Sequence, residues 1–310
     1  MPAGYVHEFI AKRALQKSGF ETIYAKNIAT YLLGAQGPDI LFYYGIFPFK
    51  TDHNPNKLGR IMHKENIFEF IENLSENSKN GSKAEQSFVM GWACHIISDN
   101  IIHPYINSIA VRNGRYRSAR HLNLEAMIDT YTAGNFLPDS RRYLPPSQFW
   151  YISEIQENDL KGIARIIKET ICATYAKNHR ISEKQIYNCI LACKRIRKLL
   201  YSKKGGKRRM FKILENIIFK PGLITANILP TRLPRTDFLN LNKNEWKDPY
   251  DDSTPFSNLS VPELIEEAIT VSCEELIKIN HLFAEDAEIS LNHPCYLPED
   301  NRYFLCTRKP

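Results

Sequence analysis

The chain has 310 residues, enough for one large domain or two modest ones, and its 43% hydrophobic and 24% charged content is that of an ordinary globular protein. No run approaches the ~18 apolar residues of a membrane-spanning helix, and Met1-Pro2-Ala3-Gly4-Tyr5-Val6-His7-Glu8 leads straight into an amphipathic pattern without a leader peptide, so a cytoplasmic location is expected. Seven scattered cysteines exclude a disulfide framework, and much of the net charge of +7 lies between Lys194 and Lys212, as a solvated helix face or a contact for lipid headgroups or nucleic acid.

Apolar spacing at the helical period predicts helices near 5–17, 24–34, 58–76, 84–110, 119–134, 158–178, 182–202, 207–218 and 261–284. No convincing pair of alternating strands is present. Pro38, Pro48 and Pro55 punctuate a loop between the second and third helices. Pro221, Pro230, Pro234, Pro249 and Pro255 make 220–262 a long irregular connection. The expectation is an all-α protein with a helical body over residues 1–178. Residues 179–310 form a helical extension with a Pro-rich connection, packed on that body. Cys189 and Cys193, one turn apart, read as packing residues rather than a redox or metal pair.

Chemistry concentrates in Phe88-Val-Met-Gly-Trp-Ala-Cys-His95-Ile-Ile-Ser-Asp99-Asn-Ile-Ile-His103-Pro104-Tyr105. Its background is apolar almost all round, which marks a helix buried in the core. His95, Asp99 and His103 recur at four-residue steps, each turning about 40° and rising about 6 Å, so they form one slanting stripe. A carboxylate buried there costs several kcal/mol unless a cation compensates it. Flanking imidazoles suggest that the cation is a metal. His121 and Glu125 repeat the arrangement on the next helix, and Asp129 one turn on is a candidate outer support. His7, Asp39 after the Gly37-Pro38 turn, and His63 lie upstream. Nitrogen and carboxylate ligands without cysteine suit zinc, and more than four of them imply more than one ion. His53, His179, His281 and His293 lack this context.

In this order, His7, Asp39, His63, His95, Asp99, His103, His121 and Glu125 resemble the zinc-dependent phospholipase C family, whose fold is shared with trinuclear-zinc single-strand nucleases. Pro2-Ala3-Gly4-Tyr5-x-His7-Glu8, Gly34-Ala35-Gln36-Gly37-Pro38-Asp39, Met62-His63 and Cys94-His95-x3-Asp99-x3-His103-Pro104 look like the short bacterial-type members. The resemblance covers roughly residues 1–135. It implies up to three zinc ions. The first would be held by Asp39, His63, His95 and Asp99. The second would take His7, Asp99 and the terminal amine and carbonyl of Pro2 after removal of Met1, and the third His103, His121 and Glu125. It also implies a zinc-bound hydroxide as nucleophile, with Asp39 and Asp99 as the catalytic carboxylates. The step from Asp99 to His103 is shorter than in the well-known phospholipases, and their choline-pocket residues are not recognisable here. Tyr43, Tyr44 and Phe47 are candidates for a rebuilt substrate pocket or for loop packing.

Three functions follow. A phospholipase C would take a phospholipid or related phosphodiester, with the basic segment 194–212 available to an anionic membrane surface. A nuclease or nucleotide phosphodiesterase of the same fold would need stacking aromatics near the metals, which makes a nucleic-acid partner less expected. A non-catalytic metal-stabilised binding module is disfavoured, because a structural zinc site is usually single and closed by four protein ligands.

Overall fold

The computed structural model describes residues 4–44, 55–111, 117–135, 148–175, 181–202, 205–217, 224–251, 253 and 255–283. The chain runs through α1 (Gly4–Lys17), α2 (Glu21–Tyr24), α3 (Ile28–Gly34) and a 3-10 segment over Gly37–Tyr43. It continues through α4 (Pro55–Met62), α5 (Ile67–Ser78), α6 (Lys83–Val111), α7 (Arg117–Asn135) and α8 (Gln148–Glu154). It closes with α9 (Glu157–Thr174), α10 (Glu183–Leu200), α11 (Gly206–Ile217) and α12 (Val261–Phe283). Among the described residues the sole extended pairing is one bridge between Trp246 and Ser257, so the all-α expectation holds.

α6 is the spine. It is apolar around most of its circumference and buried without interruption from Ala84 to Ser98. Phe88, Trp92 and Ile96 enter a core shared with α3, α5, α9 and α10, while Ile97, Ile101, Tyr105 and Ile106 enter a second core shared with α1, α7 and α12. Fully burying side chains of this size contributes roughly 1.5–3 kcal/mol each. The backbones of α3 and α6 nearly touch. A Cβ on Gly34 would meet the Phe88 carbonyl oxygen at 2.0 Å, and one on Gly91 the Tyr31 oxygen at 1.9 Å. That approach lays the 3-10 segment carrying Asp39 across the middle of α6, over His95. α12 lies along α1 and α6, the helices bearing His7 and the stripe.

Three expected elements differ. The single helix at 58–76 is two helices, because the backbone reverses at Asn66, whose φ of 50° is left-handed. Asparagine tolerates that region, and an apolar period does not register a one-residue reversal. The expected helix at 24–34 begins as the short α2, passes through a 3-10 turn at Ala25–Asn27 and resumes as α3. α8 has no counterpart among the expected helices. Cys189 and Cys193 are fully buried and free, as packing residues would be.

Candidate metal centre

Three groups of ligand-type side chains converge where α1, the 3-10 segment, α4, α6 and α7 meet. They are His7, His95 and Asp99; Asp39, His63 and His95; and His103, His121 and Glu125. Within each group one ligand atom per residue lies within 4.8 Å of the others. Asp99 divides its two oxygens. Oδ1 faces His7 Nε2 at 3.2 Å and His103 Nδ1 at 3.1 Å, while Oδ2 faces His95 Nε2 at 3.4 Å and His63 Nε2 at 3.6 Å. Asp39 Oδ1 lies 3.3 Å from His63 Nε2. Glu125 Oε1 sits between His103 Nε2 at 3.1 Å and His121 Nε2 at 3.0 Å.

The far sides of the imidazoles show what the near sides offer. His63 Nδ1 donates to the Gly59 carbonyl at 2.6 Å, and His95 Nδ1 to the Ala35 carbonyl at 3.3 Å. The Ser98 hydroxyl donates to the carbonyls of Cys94 and His95, so its oxygen accepts from His7 Nδ1 at 2.7 Å. With the proton on Nδ1, each of the three rings in its neutral form presents a lone pair at Nε2. Those lone pairs face carboxylate oxygens, which only accept. Lone pair against carboxylate is repulsive unless a cation lies between them. His95 Nε2, His103 Nδ1 and Asp99 Oδ1 are also buried without a hydrogen-bond partner. This all-nitrogen-and-oxygen donor set, with its tautomers held by outer neighbours, fits zinc.

Glycine makes the crowding possible. Gly37 has a φ of 51°, and a Cβ there would meet the His95 ring carbons at 2.1 and 2.4 Å. The ring therefore lies flat against the turn that presents Asp39. A small cleft beside the centre is lined by His7, Ser98, Asp99, His103 and Glu125, with Val6, Ile102, Ile106 and Ile128 as apolar wall. Such walls raise the strength of every charge interaction inside.

Burial alone would raise the pKa of Asp99, but His103 and His95 outweigh it and hold the carboxyl well below its usual range. Glu125 and Asp39 behave alike: burial raises them, while a neighbourhood of cations and imidazoles, His103 beside one and His63 beside the other, holds them down. Burial lowers His7, and the His95 ring adds to that; the ring is kept neutral, the form that binds a metal.

Asp129 is fully buried, and its Oδ1 accepts from the backbone N–H groups of Tyr5 and Val6 at 3.0 Å each. It ties the first turn of α1, and with it His7, to the helix that carries His121 and Glu125. Tyr43 is buried against Cys193 and Ile196, and its hydroxyl accepts from Arg197 Nε at 2.5 Å. Tyr44 packs half-buried on the first core. Pro2 and Phe47 lie outside the described residues. Sequence reasoning passed over Ser98, whose serine between His95 and Asp99 was the available signal. It also passed over Phe42, whose ring stands 5.5 Å from His63. Arg197 departs from the expected solvated face, being 7% exposed with its guanidinium over the Tyr43 ring. A charge run gives no hint of which member turns inward.

The fold and the site together define an all-helical protein with a clustered histidine–carboxylate zinc centre. The family model described as zinc dependent phospholipase C matches residues 6–198, and the chain belongs to that family. No curated protein and no solved structure gives a significant match. The family is one of hydrolases, its cofactor is zinc, and the three groups provide for up to three ions.

Proposed function

We propose that the protein is a phospholipase C, hydrolysing the phosphodiester on the glycerol side of a phospholipid. The observation that carries this reading is the divided carboxylate of Asp99, with His63 and His95 on one oxygen and His7 and His103 on the other. One carboxylate shared by two imidazole sets belongs to a multinuclear centre rather than to a single closed structural site.

Asp39, His63, His95 and Asp99 would hold one ion, His7 and Asp99 a second, and His103, His121 and Glu125 a third. When bound, zinc supplies Lewis acidity toward a phosphate oxygen and lowers the pKa of water to near neutrality. The remaining work falls to the chain. Asp39, kept ionised at neutral pH, accepts a proton from the attacking water or orients it. Ser98, Gly59 and Ala35 hold three imidazoles in the tautomer that leaves Nε2 free. Ile102, Ile106 and Ile128 keep bulk water from the cleft. The helices of residues 179–310 brace the body of residues 1–178, α12 along α1 and α6.

The test is hydrolysis by zinc-loaded and chelator-stripped full-length protein of phosphatidylcholine, phosphatidylethanolamine and single-stranded DNA. Diacylglycerol and a phosphorylated headgroup should appear with the zinc-loaded protein alone. DNA cleavage without any phospholipid hydrolysis would make it a nuclease of the same fold, and less than one zinc per chain after reconstitution would defeat both enzyme readings.

A further inference from the structure

α11 is docked the wrong way round for a surface helix. Such a helix ordinarily turns its apolar stripe to the core and its charges to water. Here charged residues make the attachment. Arg208 donates through Nη1 to the carbonyls of Thr225 and Ile228, and through Nη2 to Asn123 Oδ1 at 2.6 Å. Glu215 is 3% exposed and accepts from the backbone N–H groups of Ile224 and Thr225. Seven residues apart, Arg208 and Glu215 share one face.

Met210, Ile213, Leu214 and Ile217 fall within an arc of about 100° on the opposite face. They are 48%, 56%, 47% and 66% exposed. Leu199, also exposed, lies beside the helix, since Lys207 Nζ donates to its carbonyl. A cluster of large exposed aliphatics marks an interaction surface.

The surrounding charge identifies what the surface meets. Arg209, about 40° from the edge of the aliphatic arc, and Lys212, on the same side toward the docked face, are exposed, and Arg195 and Lys198 are exposed on the neighbouring end of α10. An aliphatic ridge edged by cations matches the boundary of a bilayer with anionic headgroups. Among the described residues no helix is long and apolar enough to cross a membrane, so α11 would lie in the interface. Single-stranded nucleic acid asks for stacking rings, and among the described residues the exposed arc carries none, the one ring on α11, Phe211, lying half-buried outside it. Asn123 stands between His121 and Glu125, so Arg208 anchors α11 to the very turn of α7 that carries the third ligand group.

We propose that α11 is an interfacial anchor that seats the protein on anionic phospholipid bilayers, with Met210, Ile213, Leu214 and Ile217 inserted among the acyl chains. Its purpose rests on the reading of the centre as a phospholipid hydrolase, whereas its occurrence is measured independently of turnover.

Zinc-loaded full-length protein is mixed with vesicles of phosphatidylcholine, alone or with phosphatidylserine. Binding is read by tryptophan-to-dansyl-lipid energy transfer before hydrolysis accumulates. The double substitution Ile213→Asp/Ile217→Asp should lower vesicle affinity by about tenfold or more. Zinc content and hydrolysis of a soluble nitrophenyl phosphodiester should not change. Arg209→Glu/Lys212→Glu should abolish the preference for phosphatidylserine. Unchanged vesicle binding by the aspartate variant overturns the proposal. So does sedimentation showing that the ridge joins two copies of the chain and that the variant only separates them. Binding through α11 without phospholipid hydrolysis supports the anchor and defeats the enzyme reading; hydrolysis of dispersed lipid with α11-independent binding does the reverse.

Discussion

α6 and α11 break the same rule in opposite directions. α6 is apolar around its whole circumference and yet takes a carboxylate and two imidazoles into the core. α11 is amphipathic and yet docks through a half-buried arginine and a buried glutamate while its aliphatic ridge faces outward. In both helices the side chains that pattern alone would misplace are held by specific partners. His95 has the Ala35 carbonyl and, with Asp99 and the rings of His7 and His63, makes a centre that fits zinc; Arg208 and Glu215 have backbone carbonyls and N–H groups of the segment at 224–228. The contrast teaches that a buried polar group and an exposed apolar one are equally informative, because each costs folding free energy that something else must offset.

The largest expected effect comes from removing the charge at the centre of α6. Asp99→Asn should lower hydrolysis by more than about a hundredfold, beyond what outer partners of a metal site typically cost, and zinc should be lost with it. Glu125→Gln should release mainly one ion. Elemental analysis beside turnover checks both, and a fully metallated, fully active Asp99→Asn protein would mean that the stripe is structural.

Next comes zinc itself, which should raise stability by about 4 kcal/mol at a thousandfold excess over its Kd. The gain should depend on pH. In the metal-free protein burial works against protonated His103, but Asp99 and Glu125 outweigh it and raise its pKa above the ordinary 6.5. A raised folded value stabilises fully below the unfolded value and ceases to do so as pH rises through the folded one. Zinc requires the deprotonated rings, so its own contribution grows with pH. The gap in Tm between loaded and stripped protein should widen from about pH 5.5 to about pH 8. A constant gap would remove the histidines from the ligand set.

The smallest effects compare like with like. Ile97 on α6 is 3% exposed and Ile213 on α11 is 56% exposed. Ile97→Ala should cost about 2–5 kcal/mol in denaturant unfolding, and Ile213→Ala should stay within about 0.5 kcal/mol of zero. A large loss at Ile213 would mean that the ridge packs against the protein's own chain.

Much of this molecule is legible in its sequence. Apolar period located most of the helices, because a helix buried on one side or all round leaves that period in its residue types. The stripe His95, Asp99, His103 and its echo at His121 and Glu125 stood out because polar groups in apolar helices need a reason. Where local backbone overrides period, the sequence was mute. The reversal at Asn66 splits one expected helix into two, and His63 falls in the turn between them. The division of Asp99 between two imidazole sets, and the proton placements enforced by Ser98, Gly59 and Ala35, depend on side chains brought together from α1, α4 and α6. The inward turn of Arg197 and Arg208 likewise needs Tyr43, Thr225 and Ile228, distant in the chain. Residue types along the chain determined which chemistry was present. Only tertiary packing decided which atom faces which, because distances of three ångströms between residues ninety apart are set by how helices cross and not by any local pattern.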